Sequence, residues 1–88
     1  MRVRFGGALL RFTDFRRVIE VEAPTVEAAL VELARDHQQL RGALFDREGR
    51  VRAAHRVFLN GEPLGPDQLT SPAGDADCVD LLLAISGG

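Results

Sequence analysis

Polar and apolar residues alternate from Arg2 to Phe5, with Arg2 and Arg4 on one side and Val3 and Phe5 on the other. That period predicts a half-buried strand. Gly6-Gly7 interrupt it, and positions 8–15 read as a connector anchored by Leu9, Leu10 and Phe12. Alternation resumes in RRVIEVE, where Ile19 and Val21 face one way and Glu20 and Glu22 the other, predicting a second strand. At Pro24-Thr25 the period changes. Val26, Ala29, Leu30, Leu33, Ala34 and His37 fall on one helical stripe. Thr25 is placed to cap that helix, and Glu27 sits in its first turn, at the positive end of the dipole. RGALF predicts a further short helical turn, with Leu40, Leu44 and Phe45 tucked onto the sheet, and DREGR a polar loop tip. RVFLNGE reads as a third strand ended by Asn60-Gly61, a strong tight-turn pair. Positions 62–77 read mostly as turns with Leu69 as their anchor. CVDLLLAI is apolar enough to lie centrally in a sheet.

The order strand, strand, helix, strand, final strand predicts an α+β domain of two layers, one main helix on one face of a mixed sheet of four to five strands. The first and last strands are expected side by side at the centre. The other sheet face is then open to solvent. If Val57, Leu59, Val79, Leu81 and Leu83 point to the helix, Phe58, Cys78, Asp80, Leu82 and Ala84 point away. Exposed Phe58 and Leu82 on adjacent strands would form an apolar patch of the kind that marks partner sites. A one-residue slip would bury Phe58 instead. Asp80 favours the outward register, because a carboxylate belongs in water.

Composition narrows the function. With 88 residues the chain is expected to form one small domain, 1–85, followed by a short flexible tail, 86–88. A net charge of −2 leaves no basic footprint for nucleic acid. The single cysteine, Cys78, excludes an internal disulfide and a cysteine metal cage, and it fits a reducing compartment. It lies between Asp77 and Asp80, which disfavour a thiolate nucleophile. His37 and His55 lack ligand spacing with each other or with Cys78, so no metal site is expected. The opening MRVRFGGALL is too interrupted for a signal peptide, and no apolar run approaches the ~18 residues of a membrane span. A cytoplasmic protein is expected. Every basic residue is arginine; without lysine, no side-chain amine of the chain can form a Schiff base or accept an isopeptide bond.

The chain closes on Ala84-Ile85-Ser86-Gly87-Gly88. Glycine loses the most backbone entropy on ordering and has no side chain to pack, so this pair adds nothing to a core. Over its whole length the sequence resembles the ubiquitin-like β-grasp sulfur carriers of the MoaD/ThiS type. The likeness rests on the RVRF strand, APTVEAALVEL entering the helix, VFLNGE, and SPAGDADCVDLLLAISGG at the end. Two features depart from the family pattern: LFDREGRVRAAHR is longer than in its shortest members, and ISGG replaces the commoner Ala or Val before the glycines.

The resemblance implies a carrier protein rather than an enzyme. Its reactive group would be the Gly88 carboxylate, adenylated by an E1-like partner of the MoeB/ThiF type and converted to a thiocarboxylate. ATP and Mg would come with that partner; the chain itself would bind no cofactor. Gly87, Ser86 and Ile85 would thread the partner's channel, while Phe58, Asp80, Leu82 and Ala84 would meet its surface. The sulfur acceptor would be a synthase for cysteine, molybdopterin, thiamine or a sulfur-containing natural product. In the molybdopterin case this chain would be the small subunit. The alternatives are a ubiquitin-like interaction module with an idle tail, or a modifier joined to other proteins through Gly88.

Overall fold

Along β1 (Arg2–Phe5) Val3 and Phe5 are buried and Arg2 and Arg4 exposed, as the alternation requires. The computed structural model describes residues 1–52 and 55–83. β1 pairs antiparallel with β2 (Val18–Glu20) and parallel with β5 (Cys78–Leu83). β5 pairs on its other side, antiparallel, with β3 (His55–Leu59), which forms a hairpin with β4 (Glu62–Leu64). The order β2-β1-β5-β3-β4 puts β5 at the centre with β1 beside it, as its apolar run predicts.

Two elements differ from the sequence expectation. The second strand is shorter than RRVIEVE. It ends at Glu20, although Val21 still exchanges hydrogen bonds with Met1: its N–H donates to Met1 O at 2.9 Å and its carbonyl accepts from the terminal ammonium at 2.6 Å. The fourth strand was hidden in the turn-rich stretch, because proline normally argues against a strand. Asn60 and Gly61 both have positive φ, 52° and 86°, which fits the two-residue turns that set hairpin register. Register then places Pro63 opposite Phe58 on an edge strand, where its missing donor faces away from β3.

Helix α1 (Val26–Asp36) buries Val26, Ala29, Leu30, Leu33 and Ala34, five of the six stripe positions. The sixth, His37, is half-buried and ends the helix, its N–H donating to Leu33 O at 2.9 Å. At the N-terminus each free donor finds an acceptor. Val26 N–H donates to Ser71 O at 3.4 Å, Glu27 N–H to Leu69 O at 2.8 Å, and Ala28 N–H to Thr25 Oγ1 at 3.1 Å. The loop before β5 therefore completes the cap, with Leu69 buried as its anchor.

The predicted turn at RGALF is part of a second helix, α2 (Gln38–Leu44), which buries Leu40 and Leu44. His55, at the start of β3, is buried, and its Nε2 donates to Ala43 O at 2.6 Å, tying the sheet to α2. The connector after β1 is a 3-10 turn over Gly7–Phe12 that buries Leu9 and ends on buried Thr13, whose hydroxyl bridges Leu10 O and Arg16 O. Both helices and this turn lie on one face of the sheet, and the core fills the space between.

Candidate functional site

The opposite face of the sheet carries the candidate site. Register sets its side chains in rows. Val18, Arg4, Asp80, Phe58 and Pro63 run across all five strands, with Glu20, Arg2 and Cys78 beside them on one side and Leu82 and Arg56 on the other. The charges in these rows are largely paired with one another. Arg4 grips Asp80 bidentately, Nε to Oδ1 at 2.6 Å and the second nitrogen to Oδ2 at 2.9 Å. Those hydrogen bonds, together with the carboxylate's charge, raise Arg4 above the usual arginine range. Arg2 and Glu20 form a looser pair at 3.7 Å.

What remains between the pairs is apolar. Val18 and Leu82 are each 43 % exposed. They border a shallow depression of about 320 Å³, lined also by Arg4, Phe5, Gly6, Arg17 and Asp80. A Cβ on Gly6 would collide with Leu82 Cδ2, so the bare glycine is what allows Leu82 to lie across the end of β1. Phe58 is on this outer face, but half-buried rather than exposed as expected, between Asp80 and Pro63 in the register. Bulk on both sides shields its ring, so the patch is centred on Leu82 and Val18.

At the other end of β5, Asn60 bridges the hairpin to the strand. Its Nδ2 donates to Asp77 Oδ1 and its Oδ1 accepts from Cys78 N–H, both at 2.9 Å. Gly74 N–H adds 2.7 Å to Asp77 Oδ2, and these donors hold the Asp77 carboxyl below the usual aspartate range. Cys78 is half-buried beside them. Among the described residues no cluster of His, Cys, Asp and Glu could hold a metal. Ala84, Ile85, Ser86, Gly87 and Gly88 lie outside the described residues, as does the expectation that the tail stands clear of the body.

Comparison with known proteins bears on what this arrangement is. No family model matches the sequence, and no curated relative does. Solved structures do match. The crystal structure of SAMP1 from Haloferax volcanii is 25 % identical, covers 99 % of this chain and 97 % of its own, and superposes with a TM-score of 0.81. A chain in the Amycolatopsis orientalis BexX/CysO complex is 22 % identical over 99 % and 98 %, at 0.82. The small archaeal modifier protein 1 of Methanosarcina acetivorans reaches 0.85 at 18 % identity, over 99 % and 94 %. The chain has the β-grasp fold of the MoaD/ThiS-type ubiquitin-like sulfur carriers.

In this β-grasp chain, three residues of the outer face escaped sequence reasoning as site residues. Val18 was legible: its parity is opposite to that of Ile19 and Val21, so it must share a face with Glu20. Arg4 was read as outward, but its partner Asp80 is distant in sequence and only the parallel pairing brings them together. Gly6 looked like a strand breaker, and nothing local signals that it makes room for Leu82. The Methanosarcina acetivorans neighbour is a small archaeal modifier protein. Among the described residues no helix is long and apolar enough to cross a membrane.

Proposed function

We propose that this protein is a cytoplasmic sulfur carrier that works through the carboxylate of Gly88. The observation that carries the reading is a β-grasp body, matched over 99 % of the chain, whose central strand β5 precedes Gly87-Gly88 in sequence and carries exposed Leu82 on the outer sheet face. A carboxylate is a poor acyl donor and must be activated. An E1-like enzyme of the MoeB/ThiF type, supplying Mg-ATP, lets the carboxylate oxygen attack the α-phosphorus and expel pyrophosphate. Hydrosulfide then attacks the acyl carbon and expels AMP, leaving the thiocarboxylate. With a persulfide donor the product is an acyl disulfide, and a thiol must then reduce it to the same species.

Gly87 and Gly88 suit a narrow channel because glycine has no Cβ to clash and reaches backbone angles closed to other residues, and Ser86 would enter it behind them. Ile85 would follow them into the channel, and Ala84 would meet the partner's surface. Docking of the body through Leu82, Val18, Asp80 and Phe58 turns delivery of the sulfur into an effectively intramolecular step. The acceptor is a biosynthetic synthase. A BexX/CysO complex among the neighbours supports an enzyme partner of this kind.

The test is intact mass after incubation with ATP, Mg, sulfide and an E1-like enzyme from the same genome. Exchange of one oxygen for sulfur, lost on deletion of Gly88, supports the carrier. No exchange with any such enzyme overturns it. A second reading, conjugation to other proteins through Gly88, draws on the small archaeal modifier neighbours. It predicts mass ladders on other proteins, without self-linked chains through lysine, since the chain has none.

A further inference from the structure

Charge is unevenly spread along the chain. Positions 35–56 carry six arginines against three acidic residues, whereas the remainder carries five arginines against ten. The fold gathers part of this excess on the helical side of the molecule. α1, α2 and the turn after α2 enclose an open groove of about 640 Å³, into which Arg35, Arg41, Arg47 and Arg52 all contribute. Among the described residues Asp46 is the only acidic one lining it. Its Oδ1 already accepts the Glu48 and Arg50 N–H groups, both at 2.9 Å, so that carboxylate is committed to its own turn. These backbone donors also hold it below the ordinary aspartate range.

The arginines are not equally engaged. Arg35 pairs with Glu32 at 2.9 Å, and Arg52 Nε donates to Gly42 O at 3.1 Å. Arg52 is thereby held over α2 with its remaining donors free to point elsewhere. Arg41 and Arg47 are exposed and form no ion pair among the described residues. The groove wall is apolar: Phe45 is half-buried, Ala34 is buried, and Val31 is 43 % exposed. An apolar wall flanked by two unpaired guanidinium groups, Arg41 and Arg47, with Arg52 partly free beside them, favours a ligand carrying carboxylates around an aliphatic or aromatic side chain.

We infer that this groove is a second docking site, and that its occupant is an acidic, partly apolar peptide segment of a partner protein. Nucleic acid fits less well. A long polyanion would also meet the acidic remainder of the chain, and Phe45 is the single aromatic in the groove, too little for a base-stacking platform. A short acidic segment feels only the local field, because charges beyond about 8 Å are screened at physiological salt. The groove lies across the molecule from the outer sheet face. Both surfaces can be filled at once, so one protein can hold the carrier while another engages β5 and the terminal glycines.

The test is an amide and arginine side-chain NMR titration of the labelled full chain. The probe is a capped synthetic peptide alternating glutamate and leucine, and the control replaces each glutamate by glutamine. Saturable shifts confined to Gly42, Phe45, Asp46, Gly49 and the four arginine side chains are expected, absent with the control. Arg41→Glu combined with Arg47→Glu should weaken binding at least about tenfold, the scale of two lost charge-assisted contacts. Both positions are exposed, and retained amide dispersion would show that the variant folds. Asp80→Asn on the sheet face should leave peptide binding unchanged, which separates this outcome from failure of sulfur loading. The inference is overturned by shifts on the sheet face, by no saturable shift at low salt, or by a single-stranded oligonucleotide binding the groove more tightly than the peptide.

Discussion

Removing the Thr25 hydroxyl should uncouple the start of α1 from its cap at a cost that can be worked out in advance. Three N–H groups precede the regular ladder, which begins with Ala29 N–H on Thr25 O at 3.1 Å. Two of them, on Val26 and Glu27, are satisfied by carbonyls of the loop before β5 and do not depend on the Thr25 side chain. The third, on Ala28, has Thr25 Oγ1 as its acceptor. Thr25→Ala therefore strands one donor. Thr25 is half-buried, so water replaces the lost oxygen only in part, and the expected loss is about 1 kcal/mol, within the ~0.5–2 kcal/mol seen for such caps. In a domain of this size that corresponds to a fall in Tm of about 4–8 °C. Urea titration should show a lower midpoint with an unchanged slope, because the surface exposed on unfolding is the same. Thr25→Ser keeps the oxygen and should recover most of the loss. The reasoning fails if Ala is within about 0.3 kcal/mol of the parent, or if Ser is as damaging as Ala; the latter would make the methyl group the cause.

Gly6→Ala should leave stability nearly unchanged, since Gly6 already has extended backbone angles (φ −100°, ψ 153°) and the tip of an exposed leucine can rotate away. It should nevertheless slow adenylation of Gly88 by re-aiming Leu82, and unchanged activation kinetics would remove Leu82 from the docking face. Phe15 is 75 % exposed at φ 62°, so Phe15→Gly relieves about 1–2 kcal/mol of left-handed strain against about 0.5–1 kcal/mol of added chain entropy. A small rise in Tm is expected, and a fall would show that the ring packs in solution. Asp77 has a depressed pKa, so its contribution is present above the ordinary aspartate value of about 3.9 and is lost as pH falls through the lower folded value. Asp77→Asn should thus be less stable than the parent in neutral urea titrations, with the gap closing in acid. A gap that persists in strong acid would contradict the assignment.

Most of the fold could be read from period alone, because burial on one face forces it. Val3 and Phe5, Val79 and Leu81, and the stripe from Val26 to Ala34 are where alternation and helical spacing put them. The full extent of α2 was harder to see. Seven residues with two buried leucines offer too short a stripe for a period to declare itself, and His37 serves both as the end of one helix and the start of the next. β4 was masked by Pro63, which is acceptable only because the strand lies at the edge. Of the candidate site, the outward set was legible while its contacts were not. Arg4 with Asp80, and Gly6 with Leu82, meet only through the parallel pairing of the two ends of the chain.

Those long-range contacts change the electrostatic reading of the two faces. In the fold the carboxylates of Glu20 and Asp80 are not free to act singly: they pair with Arg2 and Arg4 on β1. A partner approaching the sheet meets these two pairs, the exposed Arg17 and Arg56, which form no ion pair among the described residues, and the exposed ends of Val18 and Leu82, so apolar burial and shape supply a large share of its affinity there. The exposed pairs add little salt dependence, so what docking on that face shows should come from Arg17 and Arg56. The groove beside α2 also carries unpaired charge: Arg35 is paired with Glu32, while Arg41, Arg47 and Arg52 face the single carboxylate of Asp46 among the described lining residues. Binding there should be fast and strongly salt-dependent, since uncompensated charge acts mainly on encounter. Ionic strength becomes a probe of the face only in combination with charge reversal: a partner whose salt dependence falls in the Arg41→Glu, Arg47→Glu variant belongs to the helical side, and one whose salt dependence falls with Arg56→Glu belongs to the sheet.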